Sequence, residues 1–197
     1  MNESAFDVLT RGGEKEREDL LDSLRGIKGA KEVNRPSEDV VTFRVERRAT
    51  FYIRISPITA SAVERLVTEY KSDWSINRVN AKANKLVERV FNHLGSGKSD
   101  RLPQYVIVEI LLTKPVLYLS SMPEPLYLNL GSGKAVVFER FWGQKARSPG
   151  TGISTIAILD KRVSVKDLCD LIDKLIRSRD KPVRSRGSAY VTAQGGT

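Results

Sequence analysis

Apolar residues recur along the chain at two spacings, one typical of strands and one typical of helices. Short runs rich in β-branched and aromatic residues predict strands. Longer stretches with apolar residues three and four positions apart predict amphipathic helices. From these patterns we predict strands at 40–45, 50–55, 73–79, 104–112 and 152–159, and helices from about 58 to 70 and from 80 to 95.

Two further helices are predicted near the ends of the chain. One covers residues 14–27, where four apolar residues at helical spacing follow an acidic first turn. The other covers 164–179, where Ser164 and Asp167 approximate a capping box. The stretch KGAKEVNRPSED, residues 28–39, reads as a linker between the first of these helices and the first strand.

The stretch 113–151 holds three short apolar runs separated by proline, glycine and serine. A structureless loop of this length is uncommon in a compact domain, so we expect an extended β arm. The predicted organisation is an N-terminal helical extension and linker at 1–39, a domain at 40–163 with the arm at 113–151, a C-terminal helix at 164–179 and a basic, disordered tail at 180–197.

The order of elements predicts an α/β fold, a small sandwich in which two helices pack on one face of a sheet. The exposed sheet or the loops would then face a partner.

Charge narrows the choice of partner. The chain of 197 residues has a net charge of +9 and a pI near 9.7. Acidic residues outnumber basic ones over the first 40 residues, so the basic excess belongs to the body and the tail. Such an excess favours a polyanionic partner, either a nucleic acid or an acidic membrane surface, although a basic surface without a partner has the same composition.

Two similar basic loops, HLGSGKSD at 93–100 and LGSGKA at 130–135, resemble part of a phosphate-binding P-loop. A P-loop needs an earlier glycine, where the first copy has Asn92, and a serine or threonine after the lysine, where the second has Ala135. We therefore interpret Gly95 as the end of a helix and the second copy as a turn inside the arm. Lys98, Arg101 and Lys134 remain candidate phosphate contacts.

The sequence contains no convincing catalytic or metal-binding group. It has one histidine, His93, and one cysteine, Cys169, so a zinc cluster, an internal disulfide and a Ser-His-Asp triad are not expected. No apolar run approaches the length of a membrane span. We expect a protein that is not an enzyme, that needs no cofactor and that is intracellular, with cytoplasm and nucleus or nucleoid both open.

Three stretches together resemble the Alba superfamily of small basic proteins that bind DNA or RNA. FYIRISPITASAVERLVTEY is similar to the family's first strand and helix, with Pro57 opening the helix. INRVNAKANKLVERV is similar to the second strand and helix, and GISTIAILDKR to the last strand. The resemblance covers about 50–162 and implies the order strand-helix-strand-helix-strand-strand. It also implies a homodimer or a heterodimer with another Alba-like subunit, with Val106, Val108, Ile110 and 153–159 in the core or in the subunit interface.

The chain departs from the family pattern at its basic positions. Ile55 and Ser56 stand where many archaeal members have two lysines, and Asn80 replaces a glycine between strand and helix. Arginines that flank that glycine in the family are replaced by Val79 and Ala81, with basic residues one position away. The arm and both terminal extensions also exceed the compact archaeal form.

Two groups of residues are candidates for nucleic-acid binding. If the two strand-to-helix junctions lie side by side, as the resemblance implies, cations there would neutralise phosphates and amides would add hydrogen bonds. In the arm, VVFERFWGQKAR mixes aromatic residues with cations, which suits base stacking and equally suits packing of the arm on the protein or a partner chain. The candidates are Arg54, Asn77, Arg78, Asn80, Lys82 and Lys85 at the junctions and Arg140, Trp142, Lys145 and Arg147 in the arm.

The leading hypothesis from the sequence is an Alba-type nucleic-acid-binding protein that favours RNA over duplex DNA and acts as a dimer. The alternative is an Alba-like structural subunit, a scaffold in a larger ribonucleoprotein such as a ribonuclease P-type assembly. A third hypothesis, an NTP-dependent enzyme, rests only on the two imperfect loops.

Overall fold

The computed structural model describes residues 3–59, 62, 85, 88–90, 92, 94, 105–112, 126–141 and 153–180. Within these ranges, seven strands form a single antiparallel sheet in the order β1-β2-β3-β4-β7-β6-β5. The helices are α1 (Ala5–Arg11), α2 (Glu14–Arg25) and α3 (Val165–Arg179), and the strands are β1 (Ala30–Ser37), β2 (Val40–Glu46), β3 (Thr50–Ile58), β4 (Tyr105–Leu112), β5 (Leu126–Asn129), β6 (Lys134–Phe141) and β7 (Ile153–Asp160).

Successive side chains of a strand point to opposite faces of the sheet. Some strands of this sheet are apolar at every second position and so bury one face, and others are apolar throughout and bury both. Strand β3 sends Phe51, Ile53 and Ile55 to one face, where all three are buried. Strand β4 is apolar on both faces, and it pairs with β3 on one side and with β7 on the other. Strand β4 therefore lies at the centre of the fold.

One face of the sheet, the helix-covered face, packs against α1, α2 and α3. The helices contribute apolar residues such as Leu9, Leu24 and Ile172 to the same core as Phe51 and Val108 of the sheet. The segment before α1 also meets the segment that leads into α3 at this face. The N–H of Ala5 donates to the carbonyl of Val163 (2.9 Å), and the N–H of Val165 donates to the carbonyl of Glu3 (2.9 Å).

The opposite face of the sheet has a second, smaller core. The described residues between 85 and 94 are helical, and Val90 and Leu94 are buried against Tyr105, Ile107 and Phe138 of the sheet. The α/β class predicted from the sequence is confirmed. The sequence predicted two helices on one sheet face; the structure adds α1, α2 and α3 on the other, because the apolar stripes of α2 and α3 need a surface to cover and the alternating strands offer one.

The prediction of a linker at residues 28–39 is wrong over most of its length. Residues Ala30–Ser37 form β1, an edge strand that pairs with β2. The pairing shifts register twice, between Lys31 and Asn34 and between Asn34 and Ser37, and Glu32 has a positive φ of 55°. An edge strand with such irregularities and with Pro36 is largely exposed, so its sequence lacks the apolar alternation by which strands are recognised.

The described part of the predicted arm belongs to the sheet. Strand β6 pairs with β7 at seven positions from Ala135 to Phe141, and β5 pairs with β6 as the second edge. Ala135 and Val137 are buried in the core formed with helices α1, α2 and α3. Val136 and Phe138 are buried in the smaller core on the other sheet face. The extended conformation was predicted correctly, but β6 is fixed by burial on both sides and does not project as an arm.

The helix expected to begin at about Ile58 with Pro57 in its first turn begins later. Pro57 lies in β3 opposite Val106, and the strand continues through Ile58. The first described helical residue after it is Ala62, whose N–H donates to Thr59 Oγ1 (3.2 Å) as in an N-terminal cap. The predicted strand at 73–79 lies outside the described residues.

We predict that neighbouring residues of β3 differ sharply in their contribution to stability. Phe51 is fully buried, so Phe51→Ala should lower the free energy of unfolding by about 3–5 kcal/mol. Tyr52 points to the other face and is 47% exposed, so Tyr52→Ala should cost less than about 1 kcal/mol. Urea unfolding of both variants measures the difference, and equal losses would contradict the assignment of the two faces.

Candidate nucleic-acid interface

A groove lies on the sheet face opposite helices α1, α2 and α3, over β1 to β4 and the start of β7. Its volume is about 410 Å³, and it lies on the same face as the smaller core around Tyr105 and Ile107. We call it the sheet groove. The side chains that line it from this face belong to Glu32, Asn34, Thr42, Arg44, Tyr52, Arg54, Glu109, Leu111 and Ser154.

Antiparallel pairing arranges these side chains in rows across the strands. In one row, Arg44 pairs with Tyr52, Tyr52 with Leu111, and Leu111 with Ser154. In the next row, Thr42 pairs with Arg54 and Arg54 with Glu109. Because side chains two residues apart on a strand share a face, the two rows lie side by side.

Tyr52 is the aromatic centre of the sheet groove. Of the described large apolar residues, only Tyr52 and Leu126 are strongly exposed, at 47% and 55%. Arg44 lies directly across the pairing from Tyr52, and Arg54 follows on the same strand about 7 Å away. An exposed ring with arginines at two neighbouring positions of the sheet is a suitable platform for stacking a planar ligand.

The charges of the sheet groove nearly balance. Arg54 Nη1 lies 3.5 Å from Glu109 Oε2, and both side chains are partly exposed. Arg44 Nη2 lies 3.3 Å from Glu32 Oε1 and 3.0 Å from Glu46 Oε1. The groove therefore combines donors and acceptors and has little excess positive charge.

Two details describe the surroundings of the Arg44 side chain. Its partner Glu46 also binds the Lys31 ammonium at 2.7 Å, and this hydrogen bond, with the charge of Arg44 nearby, lowers the pKa of the Glu46 carboxyl. The Nε atom of Arg44 is buried and has no hydrogen-bond partner in the structure. A buried donor without a partner is costly, and because this atom has almost no exposed surface, the carboxylates of Glu32 and Glu46 hold Arg44 through its terminal nitrogen instead.

Three sequence-predicted site residues have described side chains. Arg54 lies in the sheet groove, and Lys85 is exposed on the helical stretch of the same sheet face. Lys134 is exposed at the start of β6, which lies towards the Asp160 end of β7, whereas Ser154 of the groove lies at the other end. The structure therefore places Arg54 and Lys134 apart.

One further predicted site residue has a described backbone. Arg140 lies in β6 with its backbone opposite Ser154, at the groove end of the strand. The others lie outside the described residues: Asn77, Arg78, Asn80, Lys82, Lys98, Arg101, Trp142, Lys145 and Arg147.

Sequence reasoning missed Arg44, Tyr52 and Glu109. The alternating pattern of strands β2 and β3 could have identified two of them. Arg44 and Tyr52 occupy positions between buried apolar residues, so they must face the opposite side of the sheet. The apolar positions assign these strands to the core, and the polar positions between them show what the opposite face displays.

The second Gly-Ser-Gly sequence is the turn between β5 and β6, as predicted. The N–H of Leu130 donates to the carbonyl of Gly133 (2.8 Å), and Ser132 is bound to the first turn of α3 through Asp167. The N–H of Ser164 donates to Ser132 Oγ (2.9 Å). Because the Ser132 hydroxyl and the Ser164 amide are hydrogen-bonded to each other, the role of this loop is structural: it attaches the β5–β6 turn to the start of α3.

The described residues lack the features of several other kinds of site. They contain no group of three or more histidine, cysteine or acidic residues placed to hold a metal ion. Burial, with a contribution from Asp170, raises the pKa of the Cys169 thiol to about 12, so the thiol stays protonated at neutral pH. No described helix is long and apolar enough to cross a membrane.

Comparison with known proteins adds no relative. No family model, no curated protein and no solved structure matches this chain. Its function must therefore be argued from the geometry of the sheet groove and from the charge of the sequence.

The packing of the β5–β6 turn against the connection between β7 and α3 can be tested by substitution. A methyl group on Gly133 would lie 2.5 Å from Asp160 Oδ1 and 2.9 Å from the backbone nitrogen of Val163. We expect Gly133→Ala to lower the free energy of unfolding by about 1–3 kcal/mol.

Gly131 is the matched control in the same turn. It has a φ of 87°, and a methyl group on it would have nothing within 4 Å. Asparagine enters this backbone region readily, so Gly131→Asn should cost less than about 1 kcal/mol. Thermal or urea unfolding measures the free energy of unfolding of both variants. A larger loss of stability for Gly131→Asn than for Gly133→Ala would contradict the packing argument.

Proposed function

We propose that this protein is a non-enzymatic, Alba-type nucleic-acid-binding protein that binds single-stranded RNA. The observation that supports the proposal best is Tyr52, an exposed ring on an open sheet face with Arg44 across from it and Arg54 beside it. Unpaired bases stack on such rings, whereas the bases of a duplex are already stacked on one another.

Phosphate binding is assigned to other parts of the chain. The sheet groove is close to charge balance, and most of the net charge of +9 belongs to residues outside the described ranges. Those residues include the cations predicted from the sequence near 78–82, 98–101, 145–147 and in the tail. In this proposal, the groove binds a base and the cations of these segments neutralise phosphates of the same strand.

The Alba-type assignment and the dimer rest on the sequence resemblance. The burial of the residues expected at the core or the interface limits where a second subunit could bind. Val106, Val108 and Ile110 are buried in this chain's own core, and β7 lies inside the sheet between β4 and β6. A second subunit, identical or Alba-like, would have to contact another surface.

Salt-dependent binding tests the proposal as a whole. We expect the full chain to bind a single-stranded RNA more tightly than duplex RNA or duplex DNA of equal length. The logarithm of affinity should fall linearly with the logarithm of salt concentration, with a slope of about −0.7 for each phosphate neutralised. Fluorescence anisotropy over a salt series measures both. Absence of binding at low salt would favour the scaffold alternative, in which the protein has little RNA affinity of its own.

A pair of variants tests the role of Tyr52. We expect Tyr52→Ala to weaken binding of single-stranded RNA by about 5- to 100-fold, because one stacked base is lost, while Tyr52→Phe keeps most of the affinity. Leu126 is equally exposed but lies on the β5 edge, so Leu126→Ala should change affinity by less than about twofold. Equal losses for single-stranded and duplex RNA in Tyr52→Ala would argue against stacking.

A further inference from the structure

The charge balance of the sheet groove restricts what can occupy it. A phosphate placed beside Arg54 would also meet the Glu109 carboxylate, and one placed beside Arg44 would meet Glu32. Like charges at such distances repel. The groove instead matches a neutral, planar group that has hydrogen-bond donors next to acceptors.

Arg54 and Glu109 present such a complementary pair of groups. They lie directly opposite each other on β3 and β4, which places their Cβ atoms about 5 Å apart. Their ion pair is long, at 3.5 Å, and their side chains are 54% and 38% exposed. Because an exposed pair of this kind contributes little to stability, both groups are free to turn towards a ligand.

We infer that the sheet groove binds a guanine base of single-stranded RNA, stacked on Tyr52 and recognised at its edges by Glu109 and Arg54. The guanine N1–H and the exocyclic amino group donate to the Glu109 carboxylate. The O6 and N7 atoms accept from the Arg54 guanidinium, which is the pairing that arginine makes most often with guanine. The inference rests on the proposed single-strand function and names the base.

Other bases match the pair less well. Adenine has an acceptor at N1, which would face the Glu109 carboxylate. Cytosine offers one amino group to Glu109 and a smaller ring to Tyr52. Uracil has a single donor between two acceptors. Only guanine has two adjacent donors next to two adjacent acceptors, so only guanine pairs with both groups in bidentate fashion.

The experiment uses the full chain and short oligouridylates that contain one variable residue at the centre. We expect guanine at that position to bind about tenfold more tightly than adenine, with hypoxanthine, which lacks the exocyclic amino group, in between. Fluorescence anisotropy at one fixed salt concentration measures the ratios. Guanosine monophosphate is titrated in parallel as the free-nucleotide arm.

Two variants assign the preference to Glu109. Glu109→Gln keeps the shape of the side chain but replaces one acceptor by a donor, so the preference for guanine over adenine should fall to about twofold or less. Glu14→Gln is the matched control, because Glu14 is exposed on α2 on the other side of the sheet and its change removes the same charge. It should leave the preference unchanged.

The outcomes separate this inference from the proposed function. Salt-dependent binding of all oligonucleotides with no preference for guanine, or an unchanged preference in Glu109→Gln, would overturn the guanine assignment and leave RNA binding in place. Absence of any oligonucleotide binding would overturn both. Saturation by guanosine monophosphate at the same concentration as the oligonucleotide would overturn the RNA strand as the source of the base.

Discussion

The burial of β4 on both faces is the constraint on which the rest of the structure depends. An antiparallel sheet can leave one face in water, but β4 and its neighbour β7 place apolar side chains on both faces. Each face therefore needs a cover. The terminal helices supply one cover and the helical residues around Val90 supply the other. The sheet groove occupies the part of the second face where polar residues replace apolar ones.

This change from apolar to polar residues occurs within single strands. On the second face, β4 runs from Tyr105 and Ile107, which are buried, to Glu109 and Leu111, which line the groove. Strand β7 changes in the same way between Ile158 and Ser154. Because the polar ends of neighbouring strands are in register, a sequence pattern that is local to each strand produces one continuous surface on the sheet.

The sequence predicted the parts of the fold that are governed by local pattern. Helices α2 and α3 and the strands β2, β3, β4 and β7 have strong apolar periodicity, and Ser164 caps α3 with a bond from the Asp167 N–H (3.1 Å). Strand β1 was missed because an exposed edge has no such periodicity. The pairing of β6 with β7 could not be read locally, since it depends on contacts between residues distant in sequence.

The candidate site also has one part that local sequence predicts and another that depends on contacts between distant residues. Arg54 was identified because it is a cation next to a predicted junction between strand and helix. Tyr52 and Glu109 were not, because their importance comes from lying in neighbouring rows of the sheet, and a register between strands separated by some fifty residues is set by tertiary packing. The pairing of a carboxylate with an arginine also lowers the local charge, so a search for basic clusters passes over this surface.

The backbone bonds between Glu3–Ala5 and Val163–Val165 have a consequence for how the protein is made. Helix α1 is synthesised before the segment Val163–Val165, which leads into α3 and fixes the first residues of α1. The ion pair of Arg47 with Asp173 (2.6 Å) and the bond from the Ala49 N–H to Asp180 (3.0 Å) tie the β2–β3 hairpin to the same late helix. Such contacts between distant segments slow folding, because a long loop must close before they form. A nascent chain without α3 therefore leaves exposed the part of the apolar sheet face that α3 covers, which is the kind of surface that chaperones bind.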